Sequence, residues 1–296
     1  MVVFAVSSAL AASLGWACGS MLAHRPLQRV GVFEFTRIQL LTSGAILCVL
    51  CSVLGYWQTV DWSQWPAFVV SVVVSVIIGN VALLECLKRA GPRQTELLLS
   101  LKTPIVAVLA FAFLGEELSF TEMIGIAIAL FGICLAILFG SSDQEAEATR
   151  RSGGLVAIVV LALIAAASQG IGMLVLKPLL LSGTEPLAAS AIRVTGAAFI
   201  VALVGLMPLS AVQATTEMSW MLLFRVVLPG FIGYGISVSL LLYAYAHYDA
   251  AIASVLGSLS PVFILPLLWM NTGNMPRPLA WGGAALSLLG TAVILL

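Results

Sequence analysis

The nine residues Gly19-Ser20-Met21-Leu22-Ala23-His24-Arg25-Pro26-Leu27 decide how this chain is read, because half a chain later Ile171-Gly172-Met173-Leu174-Val175-Leu176-Lys177-Pro178-Leu179 follows the same pattern. Working outward, Phe35-Thr36-Arg37 lines up with Ala191-Ile192-Arg193, and Leu99-Ser100-Leu101-Lys102-Thr103-Pro104 with Leu256-Gly257-Ser258-Leu259-Ser260-Pro261. Each half then closes on a glycine-dotted apolar stretch, 123–140 and 279–296. Anchors recurring in one order mark an internal repeat, and an internal repeat in a very apolar chain is the pattern of membrane transporters.

The composition fixes the solvent. Of 296 residues, 61% are hydrophobic and 9% charged, and the mean hydropathy is +1.13. A water-soluble domain carries about 25% charged residues, so this much apolar surface belongs in lipid. Net charge is zero, which gives no basic face for nucleic acid. Cys18, Cys48, Cys51, Cys86 and Cys134 lie in apolar stretches without metal-ligand spacing and read as small buried hydrophobes. The N-terminus is apolar from residue 2 and reads as a first span in place of a cleaved signal.

A span needs about 20 apolar residues. Ten candidates result: 3–23, 31–56, 66–87, 93–114 and 120–140, then 154–176, 186–207, 219–246, 250–271 and 279–296. The expected fold is therefore all-α, with ten transmembrane helices in two five-helix repeats, 1–140 and 154–296, joined by the hydrophilic linker 141–153. Five crossings per half is an odd number, so the second repeat enters the membrane upside down relative to the first. Arg25, Arg29, Lys88, Arg89, Arg93, Arg150, Arg151 and Arg277 occupy joints on one face, which the charge rule makes cytoplasmic, with both termini outside. The expected location is the plasma (inner) membrane, as a monomer or weak homodimer.

Leu97-Leu98-Leu99-Ser100-Leu101-Lys102-Thr103-Pro104, followed by Phe113-Leu114-Gly115-Glu116-Glu117-Leu118-Ser119, resembles the signature of the EamA-like domain. The segment around Pro261 resembles it more weakly, with Thr272-Gly273-Asn274 in place of the Gly-Glu pair. The resemblance covers essentially the whole chain. It implies the drug/metabolite transporter superfamily in its ten-helix form, whose members export or exchange amino acids, other metabolites or drugs. It also implies a pathway built from spans 1–4 and 6–9, with 5 and 10 in support.

Charges in hydrocarbon are costly, so those kept there face a cavity or a partner. Lys102, deep in span four, reads either as an anchor for a substrate carboxylate or as a structural ion pair with Glu85 or Glu96. Pro104 and its counterpart Pro261 are expected to interrupt their helices and free a carbonyl near Ser100. Arg193 and Arg37 are repeat-equivalent; Arg37 has Glu34 one turn away, whereas Arg193 reads as cavity lining or a snorkelling anchor. Trp16, Ser168 and Gln169, then Asn80 and Ser237, recur at matched positions and are candidate lining residues, with close helix packing as the alternative. Tyr243 is a further candidate. Trp57, Trp62, Trp65 and Trp220 read as an interfacial belt.

These residues favour a secondary transporter for a small organic solute, with export or exchange of amino acids or related metabolites first. Drug efflux by proton antiport, or flipping of a lipid-linked sugar, is the alternative. No catalytic cluster, metal ligand set or cofactor motif is read, and no Gly-Lys-Ser/Thr phosphate loop that would couple to ATP. Both histidines (His24, His247) sit at span ends, and Glu85 and Glu96 are placed near one membrane face. The absence of a deep carboxylate or histidine favours a facilitator or exchanger over a proton antiporter.

Overall fold

A computed structural model describes residues 2–117, 119–138, 155–206, 218–273 and 278–294, and every regular element among them is helical. The linker 141–153 lies outside the described residues. Helices satisfy their own backbone hydrogen bonds, which hydrocarbon cannot do for them. The first half contains α1 (Val2–Val30), α2 (Val32–Leu54) and α3 (Trp65–Val70), the last running through a π-helical turn, Ser71–Gly79, into α4 (Asn80–Leu99). Then come α5 (Lys102–Leu114) and α6 (Phe120–Leu138). The second half contains α7 (Leu155–Leu174), α8 (Lys177–Leu181), α9 (Pro186–Gly205) and α10 (Trp220–Gly230). A second π-helical turn, Phe231–Ser237, leads into α11 (Val238–His247), followed by α12 (Ala250–Gly257), α13 (Ser260–Thr272) and α14 (Pro278–Ile294).

Seven helical stretches among the described residues are long and apolar enough to cross a membrane, and three shorter apolar helices accompany them. The protein is an all-α, multi-pass membrane protein built as two inverted five-helix repeats. The repeat is visible in the packing. The α6–α14 and α2–α9 pairs map onto themselves, α7 on the first π turn and α4 mirrors α1 on the second π turn and α11, and α5 on α7 mirrors α13 on α1.

Spans four and nine differ from the single helices expected at 93–114 and 250–271. Each is broken in the middle. α4 turns sharply at Gly91 (φ 77°, ψ 169°), so residues 92–99 form a first half-helix and α5 a second of 13 residues. The second repeat matches it, with 8 residues in α12 and 13 in α13. The gaps Ser100-Leu101 and Ser258-Leu259 correspond, one residue away from the alignment read in sequence. Pro104 and Pro261 therefore stand third and second in their half-helices, where a missing N–H has no intrahelical partner to lose. They start helices, and do not kink them. The Ser100 carbonyl, expected to be freed, accepts from the Thr103 amide at 3.1 Å.

Spans five and ten form the tightest pair. A Cβ placed at Gly132 would collide with the Ser287 backbone, and one at Gly290 with the Ala129 backbone, a reciprocal contact that brings α6 and α14 to backbone distance. The same device recurs where the halves cross: a Cβ at Gly15 would strike Ser237, and one at Gly172 would strike Ser75. Small residues permit dispersion contact that lipid cannot equal.

Gly132→Leu and Gly290→Leu are expected to cost about 1–3 kcal/mol each by overpacking, read as a lowered thermal midpoint in detergent. Gly282→Ala, which meets nothing within 4 Å, is expected to leave the midpoint unchanged.

Candidate substrate cavity

The two broken helices cross at the middle of the membrane. Eight residues of α12 at about 1.5 Å each place its end about 12 Å deep, near the centre of a core about 30 Å thick. There the repeats grip each other through their gaps. Thr103 Oγ1 donates to Ser258 Oγ at 3.0 Å, and Ser260 Oγ donates to Glu96 Oε2 at 2.6 Å. The N-terminus of a helix carries partial positive charge, and Glu96 supplies α13 with a counter-charge at that end.

Glu96 corrects the sequence reading, which put it near a membrane face. It is 6% exposed, in the centre, and is the acidic group that faces Lys102, itself 5% exposed. The Lys102 ammonium lies 4.7 Å from the centroid of the Trp16 ring, within range of a cation–π attraction. Around them is a chamber of about 40 Å³, lined also by Gln169, Ser100 and Gly257. Trp16, Leu83, Glu96 and Gln169 form its common wall with a second chamber of about 110 Å³. This larger space runs along α1 from Trp16 to Ala23 and along α4 from Asn80 to Leu87, towards the arginine-bearing end.

Arg193 lies in the larger chamber. It is 2% exposed, so it does not snorkel. Its guanidinium donates to Ser75 Oγ at 2.9 Å and approaches Met173 Sδ at 3.4 Å, while its Nε has no partner. Among the described residues no carboxylate pairs with it. Asn80 Nδ2 and the Tyr234 hydroxyl, which line the same space, are also unpaired. Buried polar atoms left unpaired are few in native proteins, and each needs a reason. Three of them around one chamber describe a site shaped for oxygen acceptors.

The other candidates separate by place. Ser168 packs against Gly79, Ser237 donates to the Ile232 carbonyl at 2.9 Å, and Tyr243 stacks on His247 with ring centroids 4.2 Å apart. None of these three lines either chamber. Arg37 pairs with Glu34 at 2.8 Å and Arg89 with Glu85 at 3.1 Å, as the one-turn spacings suggest. Trp62, Trp65 and Trp220 are exposed, as in an interfacial belt. Sequence reading missed Gln39, Tyr234 and Met173 as lining residues. The first lies two residues past Arg37, and the spacing of four from Gly230 to Tyr234 would have turned it to the Gln39-facing side of the second π turn.

At the end opposite the arginines an ion pair ties the two repeats together. Lys177 donates to Glu116, whose other oxygen accepts from the Ala250 amide at 2.8 Å, and Lys177 also donates to the Tyr248 carbonyl at 3.0 Å. One carboxylate thus holds the first repeat to two elements of the second. Partial burial raises the neighbouring Asp249 carboxyl above its usual range, with Lys177 pulling the other way.

Two half-helices crossing over a buried, unevenly charged chamber are the arrangement of membrane transporters of the inverted-repeat class. The chain belongs to the EamA-like transporter family, whose model matches residues 3–138 and again 156–296. It is similar to a protein of Streptantibioticus cattleyicolor described as a probable terminal-alkyne amino-acid exporter, 28% identical over 207 residues. That match spans 69% of this chain and 64% of the relative's length. A solved crystal structure of 18% identity superposes with a TM-score of 0.77 over 99% of this chain and 98% of the other, a likeness of fold.

Glu116→Ala removes the ion-pair partner of Lys177, and breaking a buried pair costs about 3–5 kcal/mol. In a background without other reactive cysteines, Ala250→Cys is expected to react at least fivefold faster with a membrane-impermeant maleimide when Glu116→Ala is added.

Proposed function

We propose that the protein exports amino acids or closely related metabolites by alternating access. The guanidinium of Arg193, buried with no carboxylate paired to it among the described residues, carries this reading. A buried cation without a counter-ion needs one from the cargo, and its planar fork suits a carboxylate held by two parallel hydrogen bonds. Asn80 stands ready as a further donor. Across the chamber the carboxylate of Glu96 can receive the cargo's ammonium. Lys102, whose ammonium lies over the Trp16 ring, serves the site's charge balance, and the carboxylate anchor moves from Lys102 to Arg193. Trp16 and Met173 give the cargo's side chain an apolar wall.

The match to an amino-acid exporter supports the choice of cargo. Its direction follows from the arginine-bearing end being cytoplasmic. The larger chamber then extends towards the cytoplasm while Glu116 and Lys177 close the outer side, the arrangement of a carrier waiting to load. Repeats 1–140 and 154–296 rock about the crossing, with 141–153 as their tether.

Proteoliposomes challenged with a panel of labelled amino acids test this. The wild type is expected to mediate uptake against a counter-substrate, with the apparent KM raised at least tenfold by Arg193→Gln, or about 1.4 kcal/mol of lost binding. Trp16→Ala is expected to shift preference among apolar side chains. Unchanged transport in Arg193→Gln and Glu96→Gln overturns the site; a wild type that moves no amino acid overturns the cargo.

A further inference from the structure

Beside the larger chamber, and sharing Pro229 with it, a groove of about 370 Å³ lies between α1 and α10. These two helices belong to opposite repeats and pack on each other. Arg25 and Arg29 of α1 and Arg225 of α10 line the groove, and among the described residues its lining contains no acidic side chain. Neither Arg25 nor Arg225 has an ion-pair or hydrogen-bond partner among the described residues.

Helix length sets the depth of these cations. α1 has 29 residues, about 44 Å of helix at about 1.5 Å each. The hydrocarbon core is about 30 Å thick, so a centred α1 overhangs it by about 7 Å at each end. Arg25 stands five residues before the end of α1 at Val30, and Arg225 five residues after the start of α10 at Trp220. Five residues span about 7.5 Å, which puts both at the edge of the hydrocarbon, beside the lipid phosphates. Arg29 is one turn further out. Leu22 and Leu228 lie about one turn deeper than Arg25 and Arg225, and they continue the groove into the hydrocarbon as an apolar trough. Basic at the phosphate level and apolar beneath, the groove has the outline of a phospholipid.

A lone snorkelling arginine needs only water or any passing headgroup. Here two helices turn cations into one concavity, and an anion between them relieves their mutual repulsion. A phosphodiester fits the guanidinium fork through two parallel hydrogen bonds. A zwitterionic headgroup would bring an ammonium into a lining that already holds three cations, whereas an anionic headgroup brings none. We propose that this groove binds an anionic phospholipid of the phosphatidylglycerol kind. Its phosphate lies between Arg25 and Arg225, with one acyl chain along Leu22 and Leu228. Basic pockets between membrane helices hold such headgroups. The lipid rests against Pro229, which also lines the larger chamber, so the bound lipid becomes part of the wall between the chamber and the bilayer.

Lipid binding needs no transport activity, so its test stands apart from the choice of cargo. The purified full-length protein in detergent is titrated with dioleoyl phosphatidylglycerol or dioleoyl phosphatidylcholine and followed by native mass spectrometry. The wild type is expected to bind one phosphatidylglycerol at least tenfold more tightly than phosphatidylcholine. Arg25→Gln combined with Arg225→Gln is expected to weaken phosphatidylglycerol at least tenfold, whereas Lys88→Gln, which removes a charge at the same membrane face outside the groove, changes it less than twofold. The thermal midpoint without lipid reports folding, and if the double variant does not fold, each single variant is expected to lose at least threefold. A wild type that does not distinguish the two lipids overturns the site, as does undiminished phosphatidylglycerol binding in the folded arginine variants. A loss in Lys88→Gln equal to theirs overturns it too, since a diffuse basic face would then suffice. Displacement of the lipid by an equal concentration of soluble glycerol 3-phosphate overturns a phospholipid as the occupant.

Discussion

A bare backbone N–H or C=O in hydrocarbon costs several kcal/mol, and two helices of this protein leave the helical path at mid-membrane. Most of the central architecture answers that cost. The gaps at Ser100-Leu101 and Ser258-Leu259 are placed against each other, where Thr103, Ser258 and Ser260 are buried polar neighbours and not solutes in lipid. Irregular backbone is tolerated at this depth only where protein or a cavity surrounds it. The crossing therefore calls for both a second repeat and an internal chamber, and the inverted duplication provides them together.

Around that crossing the molecule divides its labour. α6 and α14 meet at backbone distance through Gly132 and Gly290, and they contribute nothing to either chamber. They act as a frame. The elements that surround the chamber contain the two π-helical turns, Ser71–Gly79 and Phe231–Ser237, in matched places. Turns of that kind commonly sit at functional sites. Each faces a glycine of the other repeat, Gly172 and Gly15, so the wider turn is accommodated where the opposing helix has no side chain.

Much of this was legible in the sequence, and the limits have physical causes. The duplication, the number of crossings and their inversion follow from hydropathy, matched anchors and parity. The one-turn pairs Glu34–Arg37 and Glu85–Arg89 follow from spacing alone. Pro104 and Pro261 marked the right places, but hydropathy does not say whether a proline bends a helix or begins one. Glu96 was placed at the membrane edge because counting along one span cannot show that its carboxylate reaches Ser260 of the other repeat at the crossing. Arg193 was legible as a buried cation, but its missing counter-ion was not, since spacing shows partners on the same helix and not across the bundle. Ser168, Ser237 and Tyr243 share the repeat's symmetry with lining residues yet face packing contacts, because matched positions guarantee matched depth and not a shared wall.

The ion-paired end of the molecule breaks the symmetry of the repeat. Glu116 joins the halves there, whereas its counterpart position in the second repeat follows Gly273 with an asparagine, and Arg25, the counterpart of Lys177, is exposed. Among the described residues, the Lys177–Glu116 pair has no counterpart at the matching positions of the other end. A duplicated fold whose two ends are fastened unequally has lost the equivalence its ancestry gave it: opening one end breaks an ion pair, and the matching positions at the other end hold no such pair.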